Sequence, residues 1–128
     1  MAKLQIPQNG FSYLTQELRD NFDMETIQEG WDDYRRGAVI SVTVMEGSVL
    51  NAQVRGKDGI MIDVSLDMDF FAISRCSCAA QVYCAHMAAA FFLAYQMNGG
   101  RPELFLKECR QAHVERAALL EQVARKKS

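Results

Sequence analysis

The chain reads Cys76-Ser77-Cys78-Ala79-Ala80-Gln81-Val82-Tyr83-Cys84-Ala85-His86, placing three thiols and one imidazole within eleven residues. Two cysteines one residue apart, five intervening residues, then Cys84 and His86 one residue apart give the number and kind of ligands of a closed tetrahedral zinc site. Cys76 and Cys78 suit the end of a strand, where alternate side chains share a face and an irregular exit can turn both sulfurs to one ion. Cys84 and His86 suit the start of a helix, whose positive N-terminal end favours thiolates. Taken singly, a buried cysteine is a small apolar residue and a buried histidine a satisfied core group; four together at this density point to metal. Three thiolates, one neutral imidazole and Zn²⁺ sum to about −1, for which backbone amides and Arg75 are the expected neighbours. With four protein ligands no position is left for a reacting water, so the expected zinc is structural and the chain is not expected to be an enzyme. The Cys-x-Cys spacing also differs from the Cys-x-x-Cys of thioredoxin-like redox sites, which leaves a cysteine-based redox enzyme as a distant alternative.

Working outward, Cys84 to Met97 reads as a largely buried helix stopped by Asn98-Gly99-Gly100. Pro102 suits the first turn of a last helix, assigned to 101–128 and running to about Arg125. Its Leu104, Leu106, Val114, Leu119, Leu120 and Val123 either pack back or present an apolar stripe to another chain. Upstream of the cysteines, Val39 to Val44, Val49 to Val54 and Ile60 to Leu66 are rich in β-branched residues. Glu46-Gly47 and Gly56-Lys57-Asp58-Gly59 punctuate them as hairpin turns. In the third segment Ile60, Ile62, Val64 and Leu66 alternate with polar neighbours and mark the packed face. Phe70 to Arg75 is expected as a fourth strand leading into Cys76. Before the strands, Phe11, Leu14 and Leu18, then Met24, Ile27, Trp31 and Tyr34, recur at helical spacing. Gly30 weakens the second helix by about 1 kcal/mol relative to alanine, and Gly37 suits its left-handed C-terminal cap. The expected fold is α+β: N-terminal helices, an antiparallel sheet of three or four strands, the zinc site at the sheet-to-helix junction, and two C-terminal helices.

Length and composition agree with one domain over 1–128, since 49% apolar and 23% charged residues are ordinary for a globular chain. No apolar run approaches the ~20 residues that span a bilayer and no signal peptide is evident, so no membrane partner and a cytoplasmic location are expected. Residues 1 to 70 carry 6 basic and 12 acidic side chains, whereas 71 to 128 carry 8 and 4. An anionic partner would meet the second half, although that excess is modest for a nucleic-acid binder. Arg35, Arg36, Arg55, Lys57 and Arg75 are the candidate phosphate contacts, with Asp32, Asp33 and Asp58 among them pointing instead to a solvated surface. Trp31, Tyr34, Phe91, Phe92 and Tyr95, at helical spacing, read as core in preference to a base-stacking platform. Cys109 and His113, four apart, are spare ligands without a second pair.

The Cys-x-Cys, gap, Cys-x-His pattern resembles the SWIM-type zinc finger. Gly30-Trp31-Asp32-Asp33-Tyr34-Arg35-Arg36-Gly37-Ala38-Val39 and Ala52-Gln53-Val54-Arg55-Gly56 are similar to the helix and first strands of its bacterial form, and His86-Met87-Ala88-Ala89-Ala90 to its helix. The resemblance covers roughly 25 to 97, and the zinc-binding region is assigned to 22–97. Two departures, the short gap of five and Ala79 where proline is frequent, affect the loop and not the ligands. The resemblance implies a non-catalytic module that binds protein or DNA, of a kind found beside Swi/Snf-type ATPases, and no small-molecule substrate. Protein interaction and nucleic-acid binding both stay open at this point.

Overall fold

The computed structural model describes residues 8–45, 48–78 and 83–126. Two helices, α1 (Gln8–Asn21) and α2 (Met24–Arg35), precede strands β1 (Val39–Met45), β2 (Val49–Arg55), β3 (Met61–Asp67) and β4 (Arg75–Cys76). Helices α3 (Ala85–Met97) and α4 (Pro102–Lys126) follow. The strands form one antiparallel sheet in the order β1-β2-β3-β4. This is the α+β architecture expected from the sequence, with the Cys/His cluster between the sheet and α3.

Local chemistry sets the boundaries. The Asp23 carboxylate accepts the Thr26 amide at 2.7 Å and so caps α2; that bond holds the carboxyl below its usual range. Gly37 ends the helix at φ 76°, a left-handed turn that glycine enters without strain, and β1 begins two residues later. In the sheet Val42, Ala52 and Val64 align across three strands, Leu50 faces Leu66 across β2 and β3, and all five are buried. Alternation leaves Ser41, Thr43, Gln53 and Asp63 on the opposite, polar face.

Helix α3 is the centre of the molecule. Its Met87, Ala88, Ala89, Ala90, Phe91, Phe92 and Ala94 are buried because α2 and α4 cover it on one side and the sheet on the other. The aromatic residues singled out in the sequence are core packing: Trp31 meets Phe92 at 5.2 Å, and Phe91 meets Phe105 at 5.2 Å. Gly30 is buried where α2 crosses α3, and a Cβ there would overlap that of Ala88. The glycine that costs α2 helical propensity is thus what lets the two helices approach.

Two expectations need correction, and one open alternative is decided. Phe70 to Arg75 does not form a full fourth strand: Phe71–Ile73 is a short 3-10 turn, and only Arg75–Cys76 pairs with β3. The Asp67 carboxylate accepts the Asp69 and Phe70 amides and turns the chain, while Phe71 is buried against Phe22. Ile60 lies outside β3 and is 62% exposed, since the hairpin turn carries it past the sheet. The last helix does both things considered for it. Phe105, Leu106 and Cys109 are buried, whereas Val114, Leu119, Leu120 and Val123 are exposed beyond the body. The Glu46-Gly47 turn, Lys127 and residues 79–82 of the cysteine loop lie outside the described residues. Among the described residues no helix is long and apolar enough to cross a membrane.

Candidate metal centre

The first half of the cluster hangs from the sheet. Cys76 pairs with Val64, so its side chain shares the inner face, while Arg75 pairs with Ser65 on the outer one. Arg75 is exposed there, and alternation turns it away from the cluster it was expected to neighbour. Ser77 then fastens the exit: its amide donates to the Asp63 carbonyl at 2.8 Å, and its hydroxyl accepts the Asp63 amide at 2.8 Å. This reciprocal clamp extends the β3–β4 ladder by one residue and sets where Cys78 can lie.

The second half is carried by α3. Cys84 is the residue before the first turn, extended at φ −112° and ψ 163°, and its carbonyl accepts the Ala88 amide at 3.3 Å. The Met87 amide favours the Cys84 thiolate, although no cap hydrogen bond closes onto it. His86 follows one residue into the helix. The crossing of α2 and α3 at Gly30 therefore fixes the height at which both groups approach the sheet.

The ligand atoms of Cys76, Cys78, Cys84 and His86 all lie within 4.8 Å of one another. Cys76 Sγ and His86 Nδ1 stand 3.7 Å apart. With Zn–S near 2.3 Å and Zn–N near 2.0–2.1 Å, the edges of a tetrahedral site come to about 3.6–3.8 Å. The donor set is thus gathered to within about 1 Å of that geometry and can hold one metal ion. Cys84 is buried, while Cys76, Cys78 and His86 are half-buried, so the cluster is reached from one side.

Among themselves the four groups share protons unequally. A hydrogen bond from the Cys76 thiol, reinforced by one from His86, lowers Cys84 to about 4 despite burial. The same bond to Cys84, together with burial, pushes Cys76 upward. Hydrogen bonding to Cys84 raises His86 to about 9, against the opposing effect of burial. The arrangement has a stabilised thiolate at its centre and donors turned toward it, the electrostatic setting in which a cation replaces protons.

The candidate phosphate contacts divide. Arg36 meets Arg55 where α2 ends and β2 runs out, Lys57 follows in the β2–β3 turn, and Arg35 lies on another side with Val39 and Leu93. Arg36 is occupied there, donating to Asp33 at 3.0 Å and to the Arg55 carbonyl at 2.9 Å. Arg35 lies over the Trp31 ring at 5.8 Å, and Arg75 sits apart on the outer face of the sheet. Cys109 is buried and burial raises it to about 12, while His113 Nε2 is buried without a hydrogen-bond partner. These two join no cluster of three or more ligands among the described residues.

Sequence reasoning missed Ser77 and Asp63. A serine between two cysteines carries no periodic signal, and its partner is fourteen residues away on another strand. Gly30 was read as a local weakness because its reason lies on α3. Comparison with protein-family models, with curated proteins and with solved structures finds no match for this chain.

Proposed function

We propose that the chain is a non-catalytic, SWIM-type module that binds one structural zinc ion and serves protein interaction. The observation that carries this is the convergence of three sulfurs and one imidazole, from a strand exit and a helix start, within 4.8 Å. Thiolate and imidazole ligands in a tetrahedral set suit zinc best among common metals. Four protein ligands satisfy such an ion fully, which supports a structural role. Zinc in small finger peptides contributes roughly 10–16 kcal/mol, as much as the ~5–15 kcal/mol that hold a whole domain together. Here it would bolt the β4 exit to the first turn of α3, with Cys84 and His86 on the helix and Cys76 and Cys78 on the sheet.

The test is metal content by mass spectrometry on the purified chain, with Cys84→Ser and His86→Ala alongside. One zinc per chain, lost with destabilisation in both variants, is the expected result. A folded wild type that takes up no zinc refutes the reading.

A second reading, DNA binding as an accessory region of a Swi/Snf-type ATPase, draws on Arg36, Arg55 and Lys57 near the end of α2 and the β2–β3 turn. It predicts affinity that falls steeply with added salt, because phosphate contacts release counterions. Arg36 is already engaged by Asp33, and Asp58 stands beside Lys57, so that end favours a protein partner.

A further inference from the structure

The half-buried side of the cluster opens into a cleft of about 500 Å³. Three elements wall it: α2 with Glu29 and Asp33, the β2–β3 turn from Gly56 to Ile60 and on to Ile62, and the start of α3 with Ala85 and His86. Cys78 completes it from the sheet side. Its size falls in the ~300–1,000 Å³ of ordinary ligand sites, and Ile60, Ile62, Ala85 and Gly56 give it an apolar part beside its charged lining.

The turn that forms one wall is built and not loose. Gly56 donates to the Ile60 carbonyl at 2.8 Å, Gly59 donates to the Gly56 carbonyl at 2.9 Å, and the Asp58 carboxylate accepts the Ile60 amide at 3.0 Å. Gly56 itself is buried, and a Cβ on it would come 2.9 Å from that carboxylate. This frame holds Ile60 out at the rim, 62% exposed. Ile60 and Ile62 together give that wall of the cleft an aliphatic edge.

The charge on the lining selects the partner. Glu29, Asp33 and Asp58 line the cleft against one cation, Lys57. Arg36 offsets Asp33 at 3.0 Å, and the zinc-loaded cluster, on the reading proposed above, adds about −1 through its thiolates. The sum is negative and next to an apolar floor. Phosphate would be repelled, while a cationic side chain with an aliphatic stem meets both features.

We propose that this cleft is the docking site for a protein segment that inserts one lysine or arginine between Glu29 and Asp58 and lays a flanking apolar residue against Ile60 and Ile62. The partner is thereby assigned to the class of basic, partly apolar peptides. This inference rests on the zinc-module reading, because Cys78 and His86 form one wall and the metal holds them in place.

The test titrates the ¹⁵N-labelled, zinc-loaded chain with a blocked pentapeptide carrying leucine on both sides of one lysine. The same peptide with glutamate for lysine, and a mixed-sequence single-stranded DNA, serve as counter-probes. The lysine peptide should shift the amides of Gly56 to Ile62, Cys78, Ala85 and His86 and saturate in the range of about 1 mM. The double variant Glu29→Lys, Asp58→Asn should weaken it about tenfold by removing the attraction, with one zinc per chain retained. Asparagine keeps an oxygen for the Ile60 amide, so the turn stays folded. A zinc-loaded chain that ignores the lysine peptide, binds the glutamate peptide or the DNA equally well in this cleft, or is unaffected by the double variant overturns the inference alone. A chain that takes up no zinc overturns both readings.

Discussion

Replacing Gly30 by alanine tests how the helices set the metal centre. By local propensity alone the change should help, since alanine is favoured over glycine in a helix interior by about 0.8–1.0 kcal/mol. The structure predicts the opposite. The new Cβ would overlap Ala88 Cβ and come within 2.9 Å of the Ala85 carbonyl oxygen and the Ala89 amide nitrogen. Two of these three obstacles are backbone atoms and the third is the first atom of a side chain, so no rotamer change relieves them. Carbon atoms pack at about 3.5–4.0 Å, so the helices must part by roughly 1 Å, and a gap of that size forfeits up to half of each contact's attraction. Overpacking of this kind costs typically 1–3 kcal/mol, and more where backbone is struck. With two backbone atoms struck, the upper end of that range applies, and after the propensity gain the net loss is about 2 kcal/mol, or roughly 8 °C in melting temperature for a chain of this size.

The same displacement moves Ala85 and its neighbours Cys84 and His86, so zinc affinity should fall as well, by about tenfold for each 1.4 kcal/mol of strain placed on the site. Denaturant unfolding of the zinc-loaded protein and competition with a chromophoric chelator read the two effects separately. Pairing Gly30→Ala with Ala88→Gly should recover part of the loss, a coupling that only direct contact produces. Gly37→Ala is the control. Its φ of 76° faces open space, so it should cost about 1–2 kcal/mol through backbone strain and leave metal affinity alone. A Gly30→Ala protein as stable as the parent would refute the close crossing and the account of how α3 is placed.

Ser77→Ala removes the hydroxyl that accepts the Asp63 amide, and zinc affinity should drop severalfold, with the melting temperature of the zinc-loaded chain falling by a few degrees through linkage; an unchanged chelator titration would show that the clamp does not position Cys78. Cys109→Ala should keep one zinc per chain by mass spectrometry and cost about 1 kcal/mol for the truncated buried side chain, which separates this cysteine from the cluster. After chelator treatment, stability should follow the cluster's protons. Cys84, lowered to about 4 from 9.0, stabilises above 9 and loses that contribution as pH falls through 4. His86, raised to about 9 from 6.5, stabilises fully below 6.5 and loses its contribution as pH rises through 9. Cys76, pushed above 9.0, loses its contribution as pH rises beyond that value. Urea unfolding should therefore show stability rising from pH 4 to 6.5, level to about 9, then falling; a monotonic curve would contradict the thiolate-centred arrangement. Leu119→Ser and Leu120→Ser should each change stability by no more than about 0.5 kcal/mol in urea unfolding, since both are exposed.

What the sequence made legible was whatever is local or periodic. Strand alternation marked Val64 and Leu66, helical spacing marked Leu14, Leu18 and Ile27, and all five are buried. Ligand type and spacing marked the four residues that converge. The failures share another cause. Phe70 to Ile73 has strand-like composition, yet the Asp67 carboxylate captures two amides and bends the chain before a ladder can form. Arg75 is adjacent to a ligand in sequence but opposite to it in space, because neighbours in a strand point to different faces.

Gly30, Ser77 and Asp63 show why the rest could not be read. Each acts through a residue at least fourteen positions away, on an element whose placement depends on the whole fold. Ligand identity is written in the chain where it can be seen, but the distance between ligands is set by helix crossing and strand register. That division explains the shape of the site. Cys76 and Cys78 go with β3, Cys84 and His86 go with α3, and residues 79–83 join the two halves in sequence. A metal ion spanning them would link the two layers at one end, beside the cleft that takes Cys78 from one half and His86 from the other. Zinc-dependent binding at that cleft is therefore the behaviour this architecture should display, with partner affinity and metal occupancy falling together in Gly30→Ala and Ser77→Ala.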